Sequence, residues 1–216
     1  MTEKKRVGVL ISGRGSNLAS LIAAAAAPDY PAEIAIVISN KADASGLSHA
    51  DRGGIPKQAI SHKDYRSREA YDAALTSILK NAGVEIVCNA GFMRLHSAAF
   101  VREWRGRQIN IHPSLLPSFR GLNPQLQALK AGVRVSGCTV HFVSEEMDAG
   151  PIIAQAAVPV MLSDKEESLS ARILQAEHTL YPLALNFVAS GQALFDGGRT
   201  VFRDPSAQPF LLSAQF

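Results

Sequence analysis

The chain has 216 residues, of which 47% are hydrophobic and 19% are charged, with a formal net charge of +3. This composition is typical of a globular protein with one sizeable core, and no apolar run approaches the ~20 residues of a membrane span. Lysines and arginines are scattered apart from Lys4–Arg6, whereas nucleic-acid-binding proteins usually cluster them, so neither a nucleic acid nor a membrane is an expected partner.

The cysteines and the N-terminus indicate the compartment. Cys88 and Cys138 each lie in an apolar run and outside any C-x-x-C pattern, which predicts buried free thiols in a reducing environment. The opening residues, MTEKKRVGVLISGRGSN, contain too short an apolar segment for a signal peptide. We therefore expect a cytoplasmic protein.

The first half of the chain alternates strand-like and helix-like segments. Short apolar runs predict strands at Val7–Ile11, Ile34–Ser39, Lys57–Ile60, Val84–Asn89 and Gln108–Ile111. Helical spacing predicts helices at Leu18–Ala27, Ala44–Arg52, Ser67–Asn81 and Phe100–Trp104. This alternation predicts parallel βαβ units, with helices on both faces of the sheet and ligands bound where the strands end.

The second half has a different pattern. A short helix at Gln125–Lys130 precedes two β-rich segments, Cys138–Val143 and Pro151–Val160, which predict a long hairpin. Asp164–Ala189 is a long helical stretch with a kink or break expected at Pro182. The fold class is therefore α/β, with a mostly parallel central sheet, helices on both faces, and a C-terminal β-hairpin plus long helix.

A glycine turn follows the first predicted strand. Gly13, Gly15, Ser16 and Asn17 stand between strand and helix, where free backbone N–H groups and the helix dipole favour an anion. The spacing fits neither a P-loop nor a dinucleotide fingerprint, so a phosphate monoester is the predicted ligand. The alternative is that the glycines only form a tight turn.

Asn110 and His112 end the fifth predicted strand, in the stretch INIHPSLLPSFRG. Residues two apart on a strand point to the same face, so both side chains can reach one pocket. An amide and an imidazole can both donate to an oxygen on which negative charge develops. The alternative is a capping asparagine and a structural histidine.

Asp148 lies in the polar loop of the predicted hairpin, where turn formation alone would also account for it. We interpret His141, on the preceding strand, as a satisfied, partly buried histidine rather than a metal ligand. No set of residues has metal-ligand spacing, so no metal is expected. Since no nucleophile signature is present either, an enzyme with this sequence would transfer a group directly.

Taken together, these stretches resemble the glycinamide ribonucleotide (phosphoribosylglycinamide) formyltransferase family, folate-dependent enzymes of de novo purine biosynthesis. The matching segments, in family order, are VLISGRGSNL, ISNKADASGL, AGFMRL, NIHPSLLPSF, GCTVHFVSEEMDAGPII and EHTLYPLAL. NIHPSLLP is shared by the wider formyltransferase group, whereas the glycine loop together with EHTLYP points to this family. The resemblance implies a Rossmann-like formyltransferase fold in a single domain, 1–216, with a phosphate-binding βαβ half, 1–112, and a folate and catalytic half, 113–216.

The resemblance also implies a role for each motif. The catalytic residues would be Asn110, His112 and Asp148. The phosphate and ribonucleotide contacts would be Gly13, Gly15, Ser16, Asn17 and Glu177. The folate contacts would be Arg68, Met93, Arg94, Leu95, Asn110, Ser144, Glu145, Glu146, Met147 and Asp148.

The implied reaction is direct attack of the glycinamide ribonucleotide amine on 10-formyltetrahydrofolate, the co-substrate, with Asn110 and His112 stabilising the oxyanion and Asp148 assisting proton transfer. The resemblance implies a monomer or homodimer that acts on these two small molecules.

One segment departs from the family pattern. RGLNPQLQAL has Asn123-Pro124-Gln125 where the family usually has a histidine-bearing stretch, and its Asn-Pro is similar to the corresponding segment of methionyl-tRNA formyltransferase. A methionyl-tRNA formyltransferase would carry a further C-terminal domain, and a 10-formyltetrahydrofolate hydrolase a preceding regulatory domain. A non-catalytic phosphosugar-binding module would need the glycine loop without the three catalytic side chains.

Overall fold

The computed structural model describes residues 3–212, and one eight-stranded sheet forms its centre. The strands are β1 (Lys5–Ile11), β2 (Ala32–Ser39), β3 (Lys57–Ala59), β4 (Ile86–Asn89), β5 (Gln108–His112), β6 (Val135–Phe142), β7 (Ile152–Pro159), β8 (Ala193–Asp196), β9 (Arg199–Phe202) and β10 (Phe210–Leu212). The order across the sheet is β10-β7-β6-β5-β4-β1-β2-β3, while β8 and β9 pair separately. The strands from β3 to β5 are parallel to one another, and β6 is antiparallel to both of its neighbours, so the predicted mostly parallel sheet is confirmed.

Helices cover both faces of the sheet, as predicted. They are α1 (Ser16–Ala25), α2 (Leu47–Arg52), α3 (Arg68–Asn81), α4 (Ala98–Glu103), α5 (Pro124–Ala131) and α6 (Glu166–Ala189). Alternate strand residues enter two hydrophobic clusters: Val9 packs with the apolar residues of α1 and α6, whereas Leu10 packs with those of α3 and α4. The sheet is therefore apolar on both sides, which explains the continuous hydrophobic runs of its strands.

The hairpin and the long helix are both present. The segments predicted to form the hairpin are β6 and β7, which are paired antiparallel with Cys138 opposite Ala156. The break expected at Pro182 is wrong, because α6 runs without interruption from Glu166 to Ala189. Leu180, Tyr181 and Ala184 are fully buried around the proline, and this packing offsets the backbone hydrogen bond that proline cannot make.

Three strands near the C-terminal end had no counterpart in the sequence interpretation. β8 and β9 form a short hairpin around Gly197 and Gly198, and β10 adds to the sheet edge beside β7. Both cysteines are buried free thiols, as predicted. Across residues 3–212, no helix has both the length and the apolar character needed to cross a membrane.

Candidate active site

The loops that follow β1 and β4 are joined directly by hydrogen bonds. The Ser12 N–H donates to the Gly91 carbonyl over 3.1 Å, and the Ser12 hydroxyl accepts from the Met93 N–H over 2.8 Å. Because neighbouring parallel strands end at one edge of a sheet, these contacts place the glycine turn beside the segment that contains Met93, Arg94 and Leu95.

The glycine turn has a backbone that requires glycine at Gly15. This residue has φ 70° and ψ 31° and is the N-cap of α1. A Cβ atom there would lie 2.8 Å from Gly46 Cα, so a side chain would meet backbone. Glycine has no side chain with which to cap a helix, and the first N–H groups of α1, from Ser16 onward, are therefore available to an anion.

Glu177 lies beside this turn although it is 160 residues away in the sequence. The Asn17 amide donates from Nδ2 to Glu177 Oε2 over 2.7 Å, and both residues are buried. Burial raises the pKa of the Glu177 carboxyl to about 7, and the hydrogen bond from Asn17 lowers it only in part. The two predicted ribonucleotide contacts are thus in direct contact with each other.

Asn110 and His112 lie on one face of β5, as the spacing predicted. Ile109 and Ile111 pack into the cluster that contains α1 and α6, so Asn110 and His112 face the other side of the sheet. The register with β6 places Asn110 opposite His141 and His112 opposite Thr139. Thr139 fixes the loop that follows β5, because its hydroxyl donates to the Ser114 carbonyl over 2.7 Å.

Asp148 approaches this face from the loop between β6 and β7. Its Oδ2 is 3.4 Å from His112 Nδ1, and its Oδ1 is 3.8 Å from His141 Nε2. The Gly121 N–H also donates to Asp148 Oδ2 over 3.0 Å. The structure therefore brings the three predicted catalytic residues, Asn110, His112 and Asp148, into one cluster.

His141 belongs to the same cluster and is more buried than the sequence suggested. Its Nδ1 is 2.9 Å from the Phe142 carbonyl, which requires the proton on Nδ1, so Nε2 accepts from Asn110 Nδ2 at 3.3 Å. Burial lowers the pKa of His141 and favours this neutral form. His141 thus orients the Asn110 amide, a partnership that depends on the β5–β6 register.

His112 has an acceptor at each ring nitrogen. Nδ1 faces Asp148, and Nε2 is 3.0 Å from the carbonyl of Phe119. Phe119, Asn123 and Asp148 all have positive φ, at 57°, 54° and 51°, in the loops around the site. Such backbone strain is concentrated where surrounding contacts hold it, often at functional sites.

The remaining predicted folate contacts lie in the loop after β4, in the loop after β6 and at the start of α3. Met93, Leu95 and Met147 are half or more exposed, which is unusual for large apolar side chains. Glu145 pairs with Arg102 of α4, and Glu146 with Arg120, while the Ser144 hydroxyl donates to the Glu146 carbonyl. Arg94 lies over the ring of Tyr71, 5.9 Å from its centroid. Arg68 is the first residue of α3 and is exposed.

Among the residues that the structure describes, no group of three or more His, Cys, Asp or Glu side chains has an arrangement that could hold a metal ion. The cluster instead offers an amide donor, two imidazoles and a carboxylate. These groups can stabilise negative charge on an oxygen and move a proton.

Comparison with known proteins gives consistent results. Residues 5–185 match the family model described as formyl transferase. Phosphoribosylglycinamide formyltransferase of Escherichia coli (strain K12) is 45% identical over 184 residues, which are 85% of this chain and 87% of that protein. The crystal structure of glycinamide ribonucleotide transformylase 1 from Symbiobacterium toebii matches with a TM-score of 0.91 and 46% identity, over 94% of this chain and 96% of that one.

A larger relative shows higher identity. The trifunctional purine biosynthetic protein adenosine-3 of Drosophila pseudoobscura pseudoobscura is 60% identical over 190 residues, which are 87% of this chain. Those residues are only 14% of the fly protein, so this chain corresponds to a small part of that relative.

Proposed function

This chain belongs to the formyl transferase family, and from that premise we propose that it transfers the formyl group of 10-formyltetrahydrofolate to the amine of glycinamide ribonucleotide. The reaction is a step of de novo purine biosynthesis. The observation that carries the proposal is the cluster of Asn110, His112 and Asp148 in a chain that also has the glycine turn paired with Glu177.

The chemistry proposed for the cluster is direct transfer. The amine of the ribonucleotide attacks the formyl carbon, and the former carbonyl oxygen becomes negatively charged. Asn110 Nδ2 and protonated His112 donate to that oxygen, and one such donor is worth about 3–4 kcal/mol in other enzymes. The amine loses a proton, the folate nitrogen gains one as its bond to the formyl carbon breaks, and Asp148 assists this transfer.

His112 must exchange one contact for this to happen. Its Nε2 faces the Phe119 carbonyl in the structure, and Nδ1 faces Asp148. The substrate oxygen would replace the Phe119 carbonyl at Nε2, while Asp148 keeps the ring oriented through Nδ1. The loop that contains Phe119 therefore has to shift when the two substrates bind.

The two substrates are assigned to the two sides of the cluster. The ribonucleotide phosphate would bind at Gly13, Gly15, Ser16 and Asn17, with Glu177 contacting the rest of that substrate. The formyl-folate would bind along Arg68, Met93–Leu95 and Ser144–Asp148. On this proposal the phosphate-binding turn lies within 1–112, whereas folate and catalytic residues come from both 1–112 and 113–216, which β5 and β6 join in one sheet.

The setting of the reaction follows the same proposal. The partners are the two small molecules, without nucleic acid or membrane, and the protein acts as a monomer or homodimer. Two buried free thiols support a reducing, cytoplasmic compartment.

A single assay tests the proposal. The protein is mixed with 10-formyltetrahydrofolate, with and without glycinamide ribonucleotide, and the absorbance of the folate is followed. We expect a change only when the ribonucleotide is present, together with formation of the formylated ribonucleotide. A change without the ribonucleotide would indicate a hydrolase, and no change in either mixture would indicate a non-catalytic binding module. Identical mixtures without protein correct for spontaneous decay of the formyl-folate.

A further inference from the structure

A buried histidine lies directly beneath the segment assigned to the folate. His96 follows Met93, Arg94 and Leu95 in the loop between β4 and α4, and its side chain is only 3% exposed. Its ring lies between two phenyl rings, with Phe92 at 5.2 Å and Phe100 at 4.2 Å between centroids and interplanar angles of 12° and 9°. The imidazole is therefore held flat, and only its edge can accept or donate hydrogen bonds.

The edge of this ring faces a carboxylate from another element. Asp72 of α3 is also buried, and its Oδ1 is 3.5 Å from His96 Nδ1. The other oxygen of Asp72 accepts a hydrogen bond from the Ser97 N–H, at the N-cap of α4. One side chain of α3 thus contacts two consecutive residues of the loop, through a hydrogen bond from Ser97 and an ion-pair distance to His96.

Asp72 is held in its charged form. Burial, the largest effect, raises the pKa of the carboxyl, but the contact with His96 and the hydrogen bond from Ser97 lower it, and the net shift is below the usual value. A buried carboxylate of this kind depends on its partners, because an unpaired charge in the core is strongly unfavourable.

The loop alternates between outward and inward residues around this anchor. Met93 and Leu95 are 75% and 60% exposed, whereas His96 packs inward between the phenyl rings. Arg68, the other predicted folate contact on this side, lies four residues before Asp72 and so on the same face of α3. The buried pair therefore links two segments that the proposed function assigns to the folate.

We propose that the His96–Asp72 pair is a positioning device for the folate subsite, which sets the affinity for the formyl donor without touching either substrate. This inference rests on the proposed function, since it deepens the assignment of the 93–95 segment. A hydrophobic residue could fill the same space between the phenyl rings, but Asp72 would then keep only Ser97 as a partner, and the loop would lose one of its two contacts with this carboxylate.

The variant that isolates the contact is His96→Phe. A phenyl ring keeps the flat stack and removes the ring nitrogen that faces Asp72. We expect the KM for 10-formyltetrahydrofolate to rise at least about fivefold, with kcat and the KM for glycinamide ribonucleotide within about twofold of the original protein. His96→Gln keeps an N–H group that can face Asp72, so its KM for 10-formyltetrahydrofolate should be much closer to that of the original protein.

Two further variants separate positioning from general damage to the fold. Asp72→Asn combined with His96→Phe should raise the KM for the folate by no more than the larger single effect, because both changes remove one interaction. Asp164→Asn breaks the ion pair between Asp164 and Arg172 at the start of α6 and should leave both KM values within about twofold.

The inference is tested independently of turnover by calorimetric binding of tetrahydrofolate. A dissociation constant at least about fivefold weaker for His96→Phe than for the original protein supports it, even if no formyl transfer is seen. It is overturned if the dissociation constant is unchanged, if the KM values for both substrates rise together, or if the original protein does not bind tetrahydrofolate. Failure of the proposed function alone would show as folate binding without transfer.

Discussion

At the scale of single residues, Asp148 has more contacts in the candidate site than its place in a turn would predict. It faces His112 and His141 and accepts from the Gly121 N–H, and its φ of 51° lies in the left-handed region. A non-glycine residue keeps that conformation only when its surroundings hold it there. Turn formation alone, the alternative at the sequence level, does not account for three converging contacts.

Asp148→Asn and His112→Ala should each reduce turnover at least about a hundredfold while the fold survives. Asparagine tolerates positive φ and has the same shape, so Asp148→Asn removes the charge and leaves the loop in place. Steady-state kinetics measure the effect, and circular dichroism verifies the fold. Near-normal turnover in either variant would exclude that residue from the mechanism.

The sequence could identify Asn110 and His112 but not all of their partners. Two residues two apart on a strand share a face whatever the rest of the fold does, so that part of the site follows from local geometry. The contact between Asn110 and His141 depends on the register of an antiparallel pair formed over 31 residues of separation. The Phe119 carbonyl and Gly121 N–H are backbone groups, and a side-chain pattern cannot indicate them.

At the scale of elements, the start of α1 shows why the turn after β1 has a glycine at position 15. The backbone at Gly15 has positive φ, and a side chain there would meet the backbone of Gly46, which precedes α2. Two elements thus approach each other at the point where a phosphate is proposed to bind. The close approach is a separate reason for glycine, beyond the turn itself.

Gly15→Ala should raise the KM for glycinamide ribonucleotide far more than the KM for the formyl-folate, because the added methyl group displaces the turn. It should also lower the unfolding free energy by about 1–2 kcal/mol or more through the strained φ. Steady-state kinetics and thermal unfolding measure the two effects.

Gly132→Ala is the matched control for Gly15→Ala. Gly132 has φ +66° at the end of α5, but a Cβ there would meet no atom of the described residues within 4 Å apart from its immediate surroundings in the chain. The Gly132→Ala variant should be less stable than the original protein, with both KM values unchanged. Equal changes of both KM values in Gly15→Ala would argue against phosphate binding at this turn.

Most of the elements found by sequence have long apolar runs, and the exposed three-residue strand β3 is an exception. β1, β2 and β4 are buried on both faces, so their hydrophobicity is continuous, and α3 shows a clear apolar stripe. β8, β9 and β10 are only three or four residues long and mostly exposed, and they leave no such signal. Pro182 does not break α6, because the packing of this helix in the folded chain outweighs a local preference.

At the scale of the whole molecule, α6, which follows β7, packs against α1, which follows β1. Apolar residues of α1 and α6 share one buried cluster, and Glu177 of α6 accepts a hydrogen bond from Asn17 of α1. A carboxyl placed in this core has its pKa raised to about 7, so its ionisation is coupled to folding.

This coupling predicts that stability falls as pH rises through about 7. A carboxyl whose pKa is raised in the folded state contributes its full stabilisation below the pKa that it has in the unfolded chain. That contribution is lost as the pH rises through the pKa of the folded state. Between about pH 5.5 and about pH 8 the loss from Glu177 should be on the order of 2 kcal/mol. Glu177→Gln should flatten this dependence and be more stable than the original protein at the higher pH.

Urea unfolding at the two pH values measures the effect, with Glu33→Gln as the control. Glu33 forms a surface ion pair with Arg6, and its removal should change stability little at either pH. An unchanged pH slope in Glu177→Gln would mean that Glu177 ionises in the folded protein as it does in water.

The two cysteines have a practical consequence. Cys88 and Cys138 are fully buried, and burial raises the pKa of Cys88 to about 12 and that of Cys138 further still. Because neither sulfur forms a thiolate near neutral pH, neither cysteine should react with a maleimide dye. A cysteine introduced at Leu122, 82% exposed and next to Gly121, could then be tagged with a single fluorophore. Movement of that loop during catalysis becomes visible in solution without removing either natural cysteine.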